Sequence, residues 1–548
     1  ASDLTVGELA INTSDGGLFT KTSGGSVVEV GSGGGGVSSD AEYNTVGGTN
    51  AGDSFTGTDA IQNTLFGYDA GTALTSGDSH TAVGYQALKS LATSSANTAI
   101  GQYAMTNSTA GGSNVSVGAL SGANTEAGTN NWIGAYCGYT STSGTANNAM
   151  GYFALYSNTS GSYNVAIGRQ AAQANTTASN SIAIGQEALN ANETTSSQIA
   201  IGIQAAKAHT AGTDNTIIGS YAARTGTDHN YVTALGSGVL MNRSGSMHST
   251  TALGALTMQW ADGDYCTAVG VQALNKARAD YNVGVGYQAG NDGTDAERCT
   301  AIGTYALKEN ETISNHTAIG YKASYSHNGT SIEPNTTVGY QAGYSGTTTE
   351  RLTAVGHEAA YSMTTANWNA AFGYKALYSC TTTSQNTALG NLAGQYTTGT
   401  SNTLVGYRAG RGTDGNTAGS NNTIIGEKAA ESCTSVSNST LVGYRAGQDI
   451  TSATNCIVIG YNAEASSATA THEITLGDTD IAKLRIPGIG LTATDDGIST
   501  DGVFIENGQT VTANYTITNN HNAGSFGPVT INSGITVTVG AGETWTVI

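Results

Sequence analysis

The sequence predicts an all-β fold: a parallel β-solenoid, or β-roll, of about 17-residue coils with a small C-terminal β domain. Three observations carry that prediction. One phrase, Asn-Thr-Ala-Ile-Gly at 97–101, returns as Asn-Val-Ala-Ile-Gly at 164–168, Asn-Thr-Ile-Ile-Gly at 215–219 and Asn-Thr-Ala-Leu-Gly at 386–390. Its closing glycine recurs from Gly67 to Gly477, through Gly84, Gly101, Gly168, Gly185, Gly303 and Gly390, mostly in steps of 17 residues. The residue three after that glycine is Ala in nearly every copy, as at Ala87, Ala104 and Ala171. A fixed period this short marks stacked coils that each touch only their neighbours.

Residues 1–37 stand apart from the repeat. Gly7 to Asn12 and Leu18 to Lys21 flank Ser14-Asp15-Gly16-Gly17, the pattern of a β-hairpin, and Gly31 to Gly36 form a flexible joint. Residues 38–62 lead in, with an imperfect copy at Asn44-Thr45-Val46-Gly47. The shaft is assigned to 63–478. Within it, runs such as Thr-Ala-Ile suit short strands, and the glycine that follows suits a tight turn or a close backbone approach. No 3.6-residue apolar period survives between them, which argues against helix. Each coil is predicted to hold two short parallel strands joined by turns. Twenty-five glycines at strand spacing make a rod roughly 115 Å long. From 479 to 548 the period stops, and alternating runs at 503–505, 515–518, 529–531, 535–539 and 544–548 predict a tip or cap of short strands.

The residue four before the repeat glycine is Asn in about half the copies, including Asn97, Asn164, Asn215 and Asn386. Stacked amides of this kind can bond coil to coil in a parallel, in-register ladder. The inward positions are Ala, so the interior is narrow and buries little apolar area alone. A second buried face supplied by other copies of the chain, in a cyclic homo-oligomer about a common axis, is the expected remedy.

Composition narrows the function. The 548-residue chain has 19 Lys and Arg against 39 Asp and Glu, a formal charge of −20, 76 Gly and 3 Pro. Nucleic acid is excluded as a partner, because phosphate binding needs clustered Lys and Arg. No run of about 18 apolar residues predicts a membrane-spanning helix. The chain begins at Ala1, and upstream sequence is expected. The six Cys show no CxxC spacing, and Cys266, Cys299 and Cys456 occupy the Asn row, so buried free thiols are expected.

No catalytic constellation, cofactor motif or metal motif is present. Asp495 and Asp496 are adjacent and diverge in a strand, and there is no EF-hand, P-loop or GxSxG pattern. His80 and His316 replace Asn in the ladder row. They read as ladder substitutes, or as metal ligands if that row faced a three-fold axis. Tyr follows the repeat glycine at Tyr68, Tyr85, Tyr152, Tyr321, Tyr340 and Tyr374, a row that either packs or contacts sugar rings.

Asn164 to Gly168 and its relatives resemble the head repeats of trimeric autotransporter adhesins. Thr81-Ala82-Val83-Gly84-Tyr85-Gln86-Ala87-Leu88 and Thr403-Leu404-Val405-Gly406-Tyr407-Arg408-Ala409-Gly410 are more similar to repeats of bacteriophage tail fibres, notably marine ones. Gly7 to Lys21 resembles a fibre N-terminal segment, and Gly527 to Ile548 resembles fibre ends of cyanophage-type viruses. The adhesins' membrane anchor and the fibres' self-cleaving chaperone find no counterpart in these residues. The resemblance implies a structural, non-enzymatic virion protein outside the cell, attaching to a host through a long trimeric rod. Other virion proteins would hold its N-terminal end, and a host surface glycan or other receptor its tip. Tyr515, His521, Phe526 and Trp545 are the expected contact residues, because aromatic side chains near a tip suit sugars. A bacterial or archaeal cell-surface adhesin or extracellular filament is the alternative. An ice-binding solenoid is a further one, disfavoured because Arg169, Glu187, Lys322 and Arg408 interrupt the positions after the glycine.

Overall fold

The computed structural model describes residues 5–6, 8–11, 18–21, 23, 27–29, 37–56, 58–243, 245–327, 329, 333–413, 419–486, 491–494, 498–499, 502–503, 510–511, 514–517, 523–525 and 528–547. Among these the chain is all-β, without helix. Strands Leu9–Ile11, Leu18–Lys21 and Val27–Glu29 form an antiparallel sheet, pairing Leu9 with Thr20 and Thr20 with Val28.

The shaft is one parallel ladder of three-residue strands. It starts at Thr45–Gly47, which pairs with Thr64–Phe66, and proceeds one strand per coil to Ile474–Leu476. Val37–Ser39 caps its first strand in antiparallel pairing. The register never slips: Thr81 opposes Thr98, Ala82 opposes Ala99 and Val83 opposes Ile100, and the next coil continues the same way. The ladder therefore begins one coil before residue 63, with Gly48 rather than Gly47 in the place of the repeat glycine. Its pairings run in chain order, and none joins the last strand to the first.

Only glycine can hold the repeat position. Gly101 has φ +135, and a Cβ built on it would lie 2.5 Å from the carbonyl oxygen of Gly118, one coil on. Gly84, Gly168, Gly185, Gly303 and Gly390 repeat this geometry, each facing the next glycine. The backbone of one coil thus rests directly on the next at this corner.

Among the described residues, the expected second strand does not form in most coils. After Gly101 the chain alternates: Tyr103 (φ 61) and Met105 (φ 50) are left-handed, and Ser113 before the next strand is too (φ 60). Left-handed non-glycine residues cost about 1 kcal/mol or more each and prevent an extended strand. Stacking offsets that cost, because these turns still bond from coil to coil. Tyr103 N–H donates to Tyr85 O at 2.9 Å, and Met105 N–H to Ser121 O at 3.0 Å. A second ladder survives only in fragments, as His229–Asn230 beside Met247–His248 and single bridges such as Glu350 with Asn367.

The core is narrow and apolar. From Thr64–Phe66 to Ile457–Ile459 the middle strand residue is buried and its two neighbours point outward. Opposite it lie the Ala three after the glycine and the residue four after it, as at Ala87 and Leu88. Volumes complement across the coil. Ala82, Ala149 and Ala301 face Leu88, Leu155 and Leu307, whereas Leu65, Trp132 and Leu441 face Gly71, Gly138 and Gly447.

Beyond the shaft, Lys483–Ile486 pairs antiparallel with Leu491–Thr494, and Ile498–Ser499 with Gly502–Val503. The last segment is itself coiled. Thr510–Val511, Tyr515–Thr516 and Ala523–Ser525 pair in parallel with Thr530–Ile531, Val537–Thr538 and Trp545–Val547, two turns deep.

Candidate functional site

The Asn row points into the chain's own interior. Asn97 and Asn386 are fully buried, and Asn164 and Asn215 are 1% exposed. Asn97 Oδ1 accepts both the backbone N–H (2.9 Å) and the Nδ2 (3.0 Å) of Asn114, and Asn97 Nδ2 donates to Gly111 O at 3.0 Å. Asn164 Oδ1 accepts from Ser181 N–H, Asn215 Oδ1 from Val232 N–H and Asn386 Oδ1 from Asn402 N–H, each at 3.0 Å. Each amide ties its coil to the following one and satisfies backbone groups that water cannot reach.

This orientation removes the axial metal reading of His80 and His316, since both rings lie inside a single coil stack. His80 is a ladder substitute. Its Nδ1 accepts from Asn97 N–H at 3.1 Å, and its Nε2 donates to Ser94 O at 2.6 Å. Burial and these bonds fix the neutral ring, and desolvation lowers its pKa. Among the described residues, no group of three His, Cys, Asp or Glu could hold a metal ion. Cys266 accepts from Asn282 N–H at 3.4 Å in the Asn position. All six cysteines are free and buried. Burial raises Cys137 and Cys433 to about 12, so they are inert thiols rather than nucleophiles.

Two surfaces remain. The first is the outer face of the ladder. The large residue just before the glycine points out, as at Ile100 (38% exposed), Ile167 (40%), Leu235 (42%) and Leu389 (51%). Two residues earlier on the same face stands Thr in most coils, among them Thr81, Thr98, Thr216, Thr300 and Thr317. This flat Thr and aliphatic face runs the length of the shaft.

The second surface is aromatic. Tyr68 stacks on Tyr85 at 5.4 Å, Tyr321 on Tyr340 at 5.3 Å and Tyr444 on Tyr461 at 5.2 Å. A second row, five after the glycine, stacks Tyr325, Tyr344, Tyr361 and Tyr378 at 5.0–5.3 Å. Sequence reasoning missed this row, although the recurrence of Tyr at that offset over four successive coils could have disclosed it. Lys322 Nζ lies within 5.2–5.8 Å of the rings of Tyr305, Tyr321, Tyr325 and Tyr344. Ring faces along these rows meet one another, so the rows present mainly edges and hydroxyls to any ligand.

Of the expected tip contacts, Tyr515 is 60% exposed and Trp545 is half-buried, on different strand pairs of the terminal coil. His521 and Phe526 lie outside the described residues. No helix among the described residues is long and apolar enough to cross a membrane. Compared with known proteins, the chain matches no family model and no curated protein.

Proposed function

We propose that the chain is the shaft and tip of a trimeric fibre, a structural virion protein that carries attachment to a host cell. The carrying observation is the outward row of Ile, Leu, Val and Phe along the whole ladder. At strand spacing, a face about 7 Å wide and about 115 Å long amounts to on the order of 800 Å². Soluble monomers rarely leave an aliphatic stripe of that length uncovered, and the whole Thr and aliphatic face equals one partner's share of a standard interface. Turned toward a common axis, the same face on three copies covers itself. The stacked coils supply length and stiffness, and the terminal coil supplies a separate surface. A cell-surface adhesin or extracellular filament would use the same rod in the same way.

The reading is tested by replacing Tyr515 and Trp545 with Ala and measuring adsorption of the purified fibre to host cells. Lost adsorption with an intact trimer supports the assignment of the tip. Unchanged adsorption moves attachment elsewhere on the fibre.

The outward Thr row supports a second reading, an ice-binding face, since regularly spaced Thr on a flat ladder can order water. Against it, Phe66, Met150 and Phe372 interrupt the neighbouring row with side chains of different shape. Arrest of ice growth by the purified protein distinguishes the two.

A further inference from the structure

Four histidines lie in the interior as two pairs; His316 stands in the ladder row, but none of the four makes the coil-to-coil bonds of His80. His209 and His229 are fully buried, with rings stacked at 5.7 Å. His316 and His327 are each 1% exposed, with rings 4.6 Å apart. Among the described residues, none gives a hydrogen bond to any of the six ring nitrogens of His209, His229 and His316. Backbone groups at Gly212 and Asp228 are near the first pair but make no well-formed bond to it. His327 alone is engaged, Nε2 with Asn335 Nδ2 at 3.2 Å and Nδ1 with Thr349 Oγ1 at 3.4 Å. The amide of Asn335 is a donor, so that Nε2 is an acceptor and His327 is neutral.

We infer that these pairs are acid-labile joints: on protonation the coils around 209–229 and 316–327 open while the rest of the ladder stays stacked. A solenoid permits this, because each coil depends only on its neighbours and can open locally.

The charges facing each ring set the direction. His209 faces Asp228 and His229. His229 faces His209 and Arg243. Arg243 is buried, donates to Gly245 O, Ala261 O and Asp262 O, and pairs with Asp264 at 3.5 Å. Asp262, Asp264 and Asp280 therefore surround the guanidinium rather than the imidazoles. Among the described residues, His316 faces only His327, and no charged group is placed against His327. Desolvation lowers His209 and His327 to about 4 and His229 to about 3, and His316 well below its usual value. The stability from neutral rings is complete above the unfolded value of 6.5 and is lost as pH falls from there toward these values. A protonated pair would place two unsolvated charges about 5 Å apart, which the narrow core cannot accommodate.

The test is hydrogen–deuterium exchange of the full-length protein at about pH 7 and about pH 5, corrected for intrinsic rates. Protection should fall about tenfold or more in peptides covering 205–247 and 313–349, and about twofold or less in coils that hold no buried histidine. The variant His316→Asn, which restores the residue found at Asn282 and Asn335, should lessen the change in the second segment only, leaving the share that burial of His327 contributes. His209→Phe with His229→Phe should abolish it in the first. His229→Gln serves if that pair of changes prevents folding. Uniform loss along the ladder, no loss at either segment, or unchanged acid sensitivity in the variants would overturn the inference.

Discussion

Gly138 lies against the indole of Trp132: a Cβ added there would sit 2.4 Å from Trp132 Cδ2. The indole fills the coil interior from the strand side, and Gly122 of the preceding coil yields to it as well. At Ala82 and Leu88 the same two positions carry the sizes in reverse. The coil tolerates either arrangement, provided the summed volume is kept. Gly138→Ala should therefore destabilise, and Trp132→Ala should cost about 3–5 kcal/mol by leaving a cavity. Trp132→Ala combined with Gly138→Leu should recover most of that loss, since Leu88 already holds the left-handed conformation required (φ 56). The thermal unfolding midpoints of the three variants check this.

The repeat glycine is predicted to be the least replaceable residue of the coil. Gly101→Ala puts a methyl group into the Gly118 carbonyl and forces an alanine to φ +135. A loss of about 3 kcal/mol or more is expected. Accelerated proteolysis confined to the coils flanking residue 101 would show that the damage is local.

The amide ladder predicts graded effects at one position. Asn97→Ala orphans the N–H of Asn114 and the carbonyl of Gly111, at about 1–3 kcal/mol for each group. Asn97→His should be milder at neutral pH, because His80 already performs this role with Nδ1 accepting from the next coil. Exchange of the Asn114 amide measures the difference directly.

Surface charge is expected to matter little, with a defined sign. Hydrogen bonds from Lys207 and then Gln186 hold the Glu187 carboxyl down to about 2, with Arg169 at 2.8 Å. Its contribution is present above the ordinary 4.5 and is lost as pH falls toward about 2. Glu187→Gln should lower the unfolding midpoint slightly at neutral pH, and the difference should vanish in strong acid or high salt.

Much of the shaft was legible in the sequence because its constraints are periodic. A glycine that cannot be replaced, an amide that must accept from the next coil and an Ala that must fit a narrow core each leave one letter per turn. The second strand was misread because Tyr103 and Met105 hold left-handed conformations that nothing in their identity announces. Apolar residues at those positions look like a strand in a linear text. The histidine pairs were hidden for another reason. His209 and His229 fall at different offsets from their repeat glycines, so only coordinates reveal that both rings enter the interior. The Tyr row directly after the glycine is visible as positions, but the mutual stacking that occupies its ring faces is a property of geometry.

The account rests most heavily on the outer ladder face being covered by other copies of the chain. Mass in solution by light scattering, with images of the same sample, tests it most directly. A particle of three chain masses, seen as a thin rod of roughly the length that strand spacing gives, is the predicted result. A monodisperse single chain with its Ile, Val and Thr face open to water would contradict it.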